Sequence, residues 1–119
     1  MLSKVDKHSG VPAYLQIMNI IKKEILLGGL NESDQLPPVR EMATIFGVNM
    51  NTVMRSLEKL SFEGIVESEH GVGYFIRSKQ TLSPEMVETI RDSVKHLRES
   101  GLDLPMILLL VEELWKKTN

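Results

Sequence analysis

Cysteine is absent from the 119 residues. That single absence removes disulfides, thiolate catalysis and cysteine-based metal sites. Long apolar runs are missing as well: the most continuous, Met106 to Val111, falls far short of a membrane span. The opening Met1-Leu2-Ser3-Lys4-Val5-Asp6 lacks the apolar core of a signal peptide. A cytoplasmic chain with no membrane partner is therefore expected. An excess of positive charge is missing too, with 14 Lys and Arg against 16 Asp and Glu and a formal net charge of −2. Any contact with a polyanion must then come from where the charges sit rather than from their sum. The three histidines, His8, His70 and His96, are scattered, and no glycine-rich phosphate loop or metal-spaced cluster occurs. Neither an enzyme nor a bound cofactor or metal is expected. Internal repeats and low-complexity segments are also lacking.

What is there reads as an ordinary globular chain, 42% hydrophobic and 25% charged, long enough for one domain and a short appendage. A first helix is predicted from Pro12 to about Leu27. Pro12 suits a first helical position, and Tyr14, Ile17, Met18, Ile21 and Ile25 recur at helical spacing before Gly28-Gly29 ends it. Residues 30–36 read as a short polar connection. Pro37-Pro38 opens a second helix, Val39 to Phe46, with Val39, Met42, Ala43 and Phe46 inward and Gly47 as its stop. Asn49 is a plausible N-cap for a third helix ending near Gly64, which carries Val53, Leu57 and Leu60 on a narrow apolar stripe.

After Gly64 the period changes. Ile65 to Glu69 and Tyr74 to Arg77 read as strands, joined by the turn His70-Gly71-Val72-Gly73. Ser83-Pro84-Glu85 then starts a helix to about Glu99, with Met86, Val87, Ile90, Val94 and Leu97 expected inward. A last helix runs from Asp103 or Leu104 to about Lys117, with Leu104, Ile107, Leu108, Val111, Leu114 and Trp115 apolar; Lys116 and Lys117 complement its C-terminal end.

Helix, helix, tight turn, helix, β-hairpin is the order of a winged helix-turn-helix. The fold class is mainly α with a small β-hairpin wing (α+β). Residues 1–78 form the winged domain and residues 79–119 a two-helix tail. In such a pair the second helix can lie in a DNA major groove with its first residues at base edges. Here those residues are Asn49, Met50, Asn51 and Thr52. Asn can pair with an adenine edge through donor and acceptor, and Thr can place its methyl against thymine. Asn49 can equally be spent as a cap, and Met50 can be an adaptable filler. Arg55 can reach phosphate or guanine, and Arg40 is placed for the backbone. His70 and Gly71 mark the wing tip, where a flexible turn could follow the sugar-phosphate edge; a pH-switch role for His70 is the lesser reading.

The ordered motifs Pro12-x-Tyr14-x-Gln16-Ile17, Gly29-Leu30, Leu36-Pro37-Pro38-Val39-Arg40-Glu41-Met42-Ala43, Gly47-Val48-Asn49-x-Asn51-Thr52-Val53, Glu63-Gly64-Ile65-Val66 and Gly71-x-Gly73-x-Phe75-Ile76 resemble the N-terminal domain of GntR-family bacterial transcription regulators. The match covers about Pro12 to Arg77. It implies DNA contact by Arg40, the Asn49-to-Thr52 turn, Arg55, and the wing at His70 and Gly71. Residues 79–119 are too few for the effector domain that most members carry. A tail of this size is similar to the short YtrA-type subfamily, in which it serves dimerisation and the regulators often control neighbouring ABC-transporter operons. The chain departs from the family pattern at Ser33 (commonly glycine), Pro38 (serine), Met50 (basic or polar), Glu69-His70 (arginine-rich) and Tyr74 (threonine). Together these departures weaken the phosphate term that dominates affinity.

The tail carries more apolar surface than two helices can bury on themselves, which points to a second copy; packing on the winged domain is the alternative. The expected contact residues are Val94, Leu97, Leu104, Ile107, Leu108, Val111, Leu114 and Trp115. The function expected is a homodimeric regulator, a repressor, on a pseudo-palindromic double-stranded DNA operator. A small-molecule effector between tail and winged domain is left open, since no polar constellation points to one. The alternative function is a winged-helix protein-interaction module, favoured by the acidic balance and by Met50 and Met54.

Overall fold

A computed structural model describes residues 1–118. Seven elements follow in chain order: α1 (Ala13–Leu26), α2 (Val39–Phe46), α3 (Met50–Phe62), β1 (Val66–Glu69), β2 (Gly73–Ile76), α4 (Pro84–Glu99) and α5 (Leu104–Lys117). The chain divides into two units, Met1–Leu82 and Ser83–Asn119.

In the first unit, α1, α2 and α3 close over one core. Ile17, Ile21 and Ile25 of α1, Met42 and Phe46 of α2, and Val53, Leu57 and Leu60 of α3 are buried, and Val66 and Ile76 of the hairpin complete the cluster. Pro12 caps α1 rather than starting it. Its ψ of 140° is extended, while its carbonyl already accepts from the N–H groups of Leu15 and Gln16. The expected first helical position is thus shifted by one residue. Pro38 stands likewise before α2, which has no side-chain cap bond, so the hydroxyl that serine would supply is indeed missing.

The turn between α2 and α3 is built from single residues. Gly47 takes φ 71°, a left-handed conformation that an L side chain resists. The Val48 N–H donates back to the Ala43 carbonyl at 3.0 Å, which closes the end of α2. Asn49 is extended, and its Oδ1 accepts from the Thr52 N–H at 2.9 Å, which opens α3. The expected N-cap is therefore present. Ser56 is the one buried polar residue among the described core positions. Its Oγ lies 2.9 Å from the Thr52 carbonyl oxygen and 3.1 Å from that of Tyr14, so the hydroxyl is satisfied inside the α1–α3 contact.

The hairpin pairs Val66 with Ile76 and Glu69 with Gly73 in antiparallel register. Each strand begins one residue later or earlier than the sequence pattern suggested: Ile65 precedes β1 and Gly73 opens β2. Residues 30–36 are more than a polar connection. Gln35 bridges Phe75, Leu36 donates to the Tyr74 carbonyl at 2.8 Å, Ile76 donates to that of Asp34 at 2.8 Å, and Leu36 is buried. This segment is a short third rung on the wing. Ser33, within this segment, has φ 73°, which accounts for the glycine more usual at that position.

The second unit contains α4 and α5, each opened by a side-chain cap. Ser83 Oγ accepts from the Met86 N–H and Asp103 Oδ1 from that of Met106, both at 3.1 Å. Neither helix has a buried residue. Met86, Ile90, Val94 and Leu97 are exposed and Val87 is half-buried, so the inward face expected of α4 is not covered in a single chain. No helix among the described residues is long and apolar enough to cross a membrane.

Candidate nucleic-acid interface

The helix-turn-helix leaves the first turn of α3 outside. Val53, Leu57 and Leu60 hold one side of the helix in the core. Asn49, Met50, Asn51 and Arg55 are exposed at its leading end, and Thr52 is half-buried. The cap binds two of these groups together: Asn49 Oδ1 accepts from both the N–H and the hydroxyl of Thr52, at 2.9 and 3.0 Å. Asn49's carbonyl oxygen is therefore engaged, and its amide NH₂ is what it can still offer a ligand. The side chain of Asn51 makes no hydrogen bond among the described residues, so both its donor and its acceptor are available.

Arg55 does not hang free. Its guanidinium carbon lies 4.1 Å from the centroid of the Tyr14 ring, and the Lys59 ammonium sits 5.3 Å from the same ring. One aromatic ring thus holds two cations close to it, one from each of two positions a turn apart on α3. A guanidinium held against a ring by cation–π attraction still has N–H groups to offer an anion. The sequence pattern placed Tyr14 only on an apolar stripe, and nothing in it paired Tyr14 with Arg55. Arg40, in the first turn of α2, is exposed and forms no ion pair among the described residues.

At the wing tip His70, Gly71 and Val72 are exposed. Gly71 has φ 74°, and the Val72 N–H closes the turn onto the Glu69 carbonyl at 3.0 Å. The tip is braced rather than loose: Gln35 Nε2 donates to the Val72 carbonyl at 3.0 Å. A β-carbon on Gly73 would stand 3.0 Å from that same Nε2, so glycine makes room for the brace. On the wing stem, Arg77 pairs with Glu67 at 2.7 Å and Glu69 at 3.3 Å. The hydrogen bond to Glu67, with the charges of both carboxylates, raises the Arg77 pKa further above its usual value. One cation against two carboxylates leaves the stem net acidic.

The arrangement is an exposed helix end rich in amide and hydroxyl groups, flanked by Arg40 and Arg55 and followed by a rigid hairpin. It can present hydrogen-bonding groups to base edges and cations to phosphates. Residues 13–76 match the family described as bacterial regulatory proteins, gntR family, a span of more than half the chain. The chain belongs to the GntR family. This GntR chain is a DNA-binding transcription regulator of the short YtrA-like kind, from a family without enzymatic activity. Over 96 residues it is 38% identical to the HTH-type transcriptional repressor YtrA of Bacillus subtilis (strain 168), an alignment covering 79% of this chain and 74% of that protein. The solved structure of YtrA from Sulfolobus acidocaldarius, a GntR-family transcription factor, is similar with a TM-score of 0.61 and 31% identity, covering 81% of this chain and 99% of that one. The AraR DNA-binding domain solved with operator ORX1 shares the fold, with a TM-score of 0.60 and 24% identity over 63% of this chain and 95% of its own.

All eight candidate DNA contacts lie on the surface of the GntR winged unit. Arg40, Asn49, Met50, Asn51, Arg55, His70 and Gly71 are exposed, and Thr52 is half-buried. The tail residues Val94, Leu97, Leu104, Leu108, Val111, Leu114 and Trp115 are exposed in the GntR chain, with Ile107 half-buried.

Proposed function

We propose that this GntR-family regulator is a cytoplasmic repressor that occupies a pseudo-palindromic operator as a homodimer. The observation that carries the proposal is the leading turn of α3. Asn49 to Asn51 stand in solvent while the other face of the same helix is locked into the core by Val53, Leu57 and Leu60. In this reading α3 enters the major groove, and Asn51 reads a base edge with its free amide. Arg40 and the ring-mounted Arg55 hold phosphates on either side, and the braced wing tip at His70 and Gly71 lies along the adjacent backbone. The tail supplies the second copy. Leu104, Ile107, Leu108, Val111, Leu114 and Trp115 recur at helical spacing along one side of α5. A single chain leaves all of that stripe but Ile107 exposed, and each leucine buried there would contribute about 2 kcal/mol. Two-fold pairing would set two α3 helices at matching half-sites. The repressor named YtrA in Bacillus subtilis lends support to the direction of control.

The test is fluorescence anisotropy on duplex DNA from upstream of the protein's own gene, repeated across a salt series. The expected result is a complex that prefers one short inverted repeat over scrambled sequence and weakens steeply as salt rises. Binding that is indifferent to both sequence and salt would overturn the reading.

A further inference from the structure

Residues 1–12 precede the stretch that matches the family, yet they are tied firmly to it. Val5 is buried in the core and donates its N–H to the Phe46 carbonyl at 3.1 Å. One residue on, Gln16 of α1 clamps the chain. Its Oε1 accepts from the Asp6 N–H at 2.8 Å, and its Nε2 donates to the carbonyls of Asp6 and Val11 at 2.8 and 2.9 Å. Residues 5–11 are thus an arm strapped along the end of α2 and the start of α1.

With Val5 turned in, its neighbour Lys4 is exposed, and its stem crosses the helix-turn-helix turn. Lys4 Cγ and Cδ lie 3.9 and 4.0 Å from the point where a β-carbon on Gly47 would be. Two residues beyond Gly47 is Asn49, the start of the exposed end of α3. Lys22, Arg77, Lys79, Arg91 and Lys117 are each paired with a carboxylate, but Lys4 makes no ion pair among the described residues. Arg40 and Arg55 flank the end of α3, but Met50 within it is neutral and the wing stem carries Glu67 and Glu69.

We infer that the N-terminal arm belongs to the DNA interface and that Lys4 contacts a backbone phosphate beside the bases faced by α3. The inference rests on the DNA-binding reading above and extends it to a segment outside the family match. A point charge on a long stem suits a phosphate and carries no base preference.

The experiment compares the full-length wild type with Lys4→Ala, Lys4→Arg and Arg40→Ala by anisotropy, on the upstream duplex and on a scrambled one, across salt. Losing one phosphate contact per protomer, two per dimer, lowers the magnitude of the salt slope by about 1.8, so the wild-type advantage over Lys4→Ala shrinks about 12-fold between about 50 and about 200 mM salt. The loss is expected to be equal on both duplexes and to be restored by Lys4→Arg. Melting temperatures should match, because Lys4 is exposed. If Lys4→Ala keeps the wild-type slope while Arg40→Ala lowers it, the arm is excluded and the DNA-binding reading stands. A loss confined to the upstream duplex would refute the phosphate assignment. Absence of salt-dependent duplex binding by the wild type would remove both readings.

Discussion

The two units of this chain treat apolar residues in opposite ways. Among the described residues fourteen hydrophobic ones are buried, and every one lies between Val5 and Ile76. The tail has Leu104, Met106, Leu108, Leu109, Leu110, Val111, Leu114 and Trp115 on a single helix and buries none of them. The winged unit closes on itself because three helices and a hairpin surround one centre. The tail has two helices and no centre. An amphipathic pattern states that a face needs cover; it does not state which surface provides it. In the winged unit the cover comes from the same chain, and in the tail the proposal assigns it to a second copy.

That contrast can be broken by mutation. The largest effect is expected for Leu57→Ala, which should destabilise the winged unit by about 2–5 kcal/mol at any protein concentration, read by urea unfolding. Leu108→Asp, on the exposed stripe of α5, should leave the melting of the winged unit unchanged. It should raise the dimer dissociation constant about 30-fold or more, or about 2 kcal/mol, in sedimentation equilibrium. A loss of stability in Leu108→Asp that does not depend on concentration would mean that the tail is covered by its own chain.

Asn51→Ala should cost about 1–3 kcal/mol of discrimination between operator and scrambled DNA, with dimerisation and folding intact. The smallest effect sharpens the account of the winged unit itself. Ser33→Gly should stabilise it by about 0.5 kcal/mol, since the left-handed strain of Ser33 outweighs the extra chain entropy of glycine.

Elements bounded by residues with strong local preferences were legible in the sequence. Pro38 and Gly47 delimit α2, Asn49 opens α3, and Ser83-Pro84 opens α4, because cap and turn geometry depend on one or two residues. The candidate base-facing residues follow from that punctuation, since they are the first turn after Asn49. What stayed hidden depends on partners far along the chain. Gln35 joins the wing through backbone bonds and its own amide, and a polar loop segment has no period to reveal them. Tyr14 reads as core yet serves as a platform for Arg55. Gln16 stands in a recognisable motif, but its role as a clamp on Asp6 and Val11 emerges only in three dimensions. The face of α4 expected inward was the misleading case, because helical spacing is the same whether a stripe meets its own chain or another.

In the proposed function the tail makes the dimer and the dimer makes the operator complex. Among the described residues every buried one lies within residues 1–82, and Leu82 is tied back to the Leu26 carbonyl at 2.9 Å, so a chain cut after Leu82 should stay folded. Sedimentation equilibrium of the full chain and of the cut chain, each with and without operator duplex, is the most direct measurement. The expected result is a full-length dimer at micromolar concentration that binds one duplex, and a cut chain that is monomeric and binds at least about 100-fold more weakly. A monomeric full-length chain, or a cut chain that holds the operator as tightly as the whole, would contradict it.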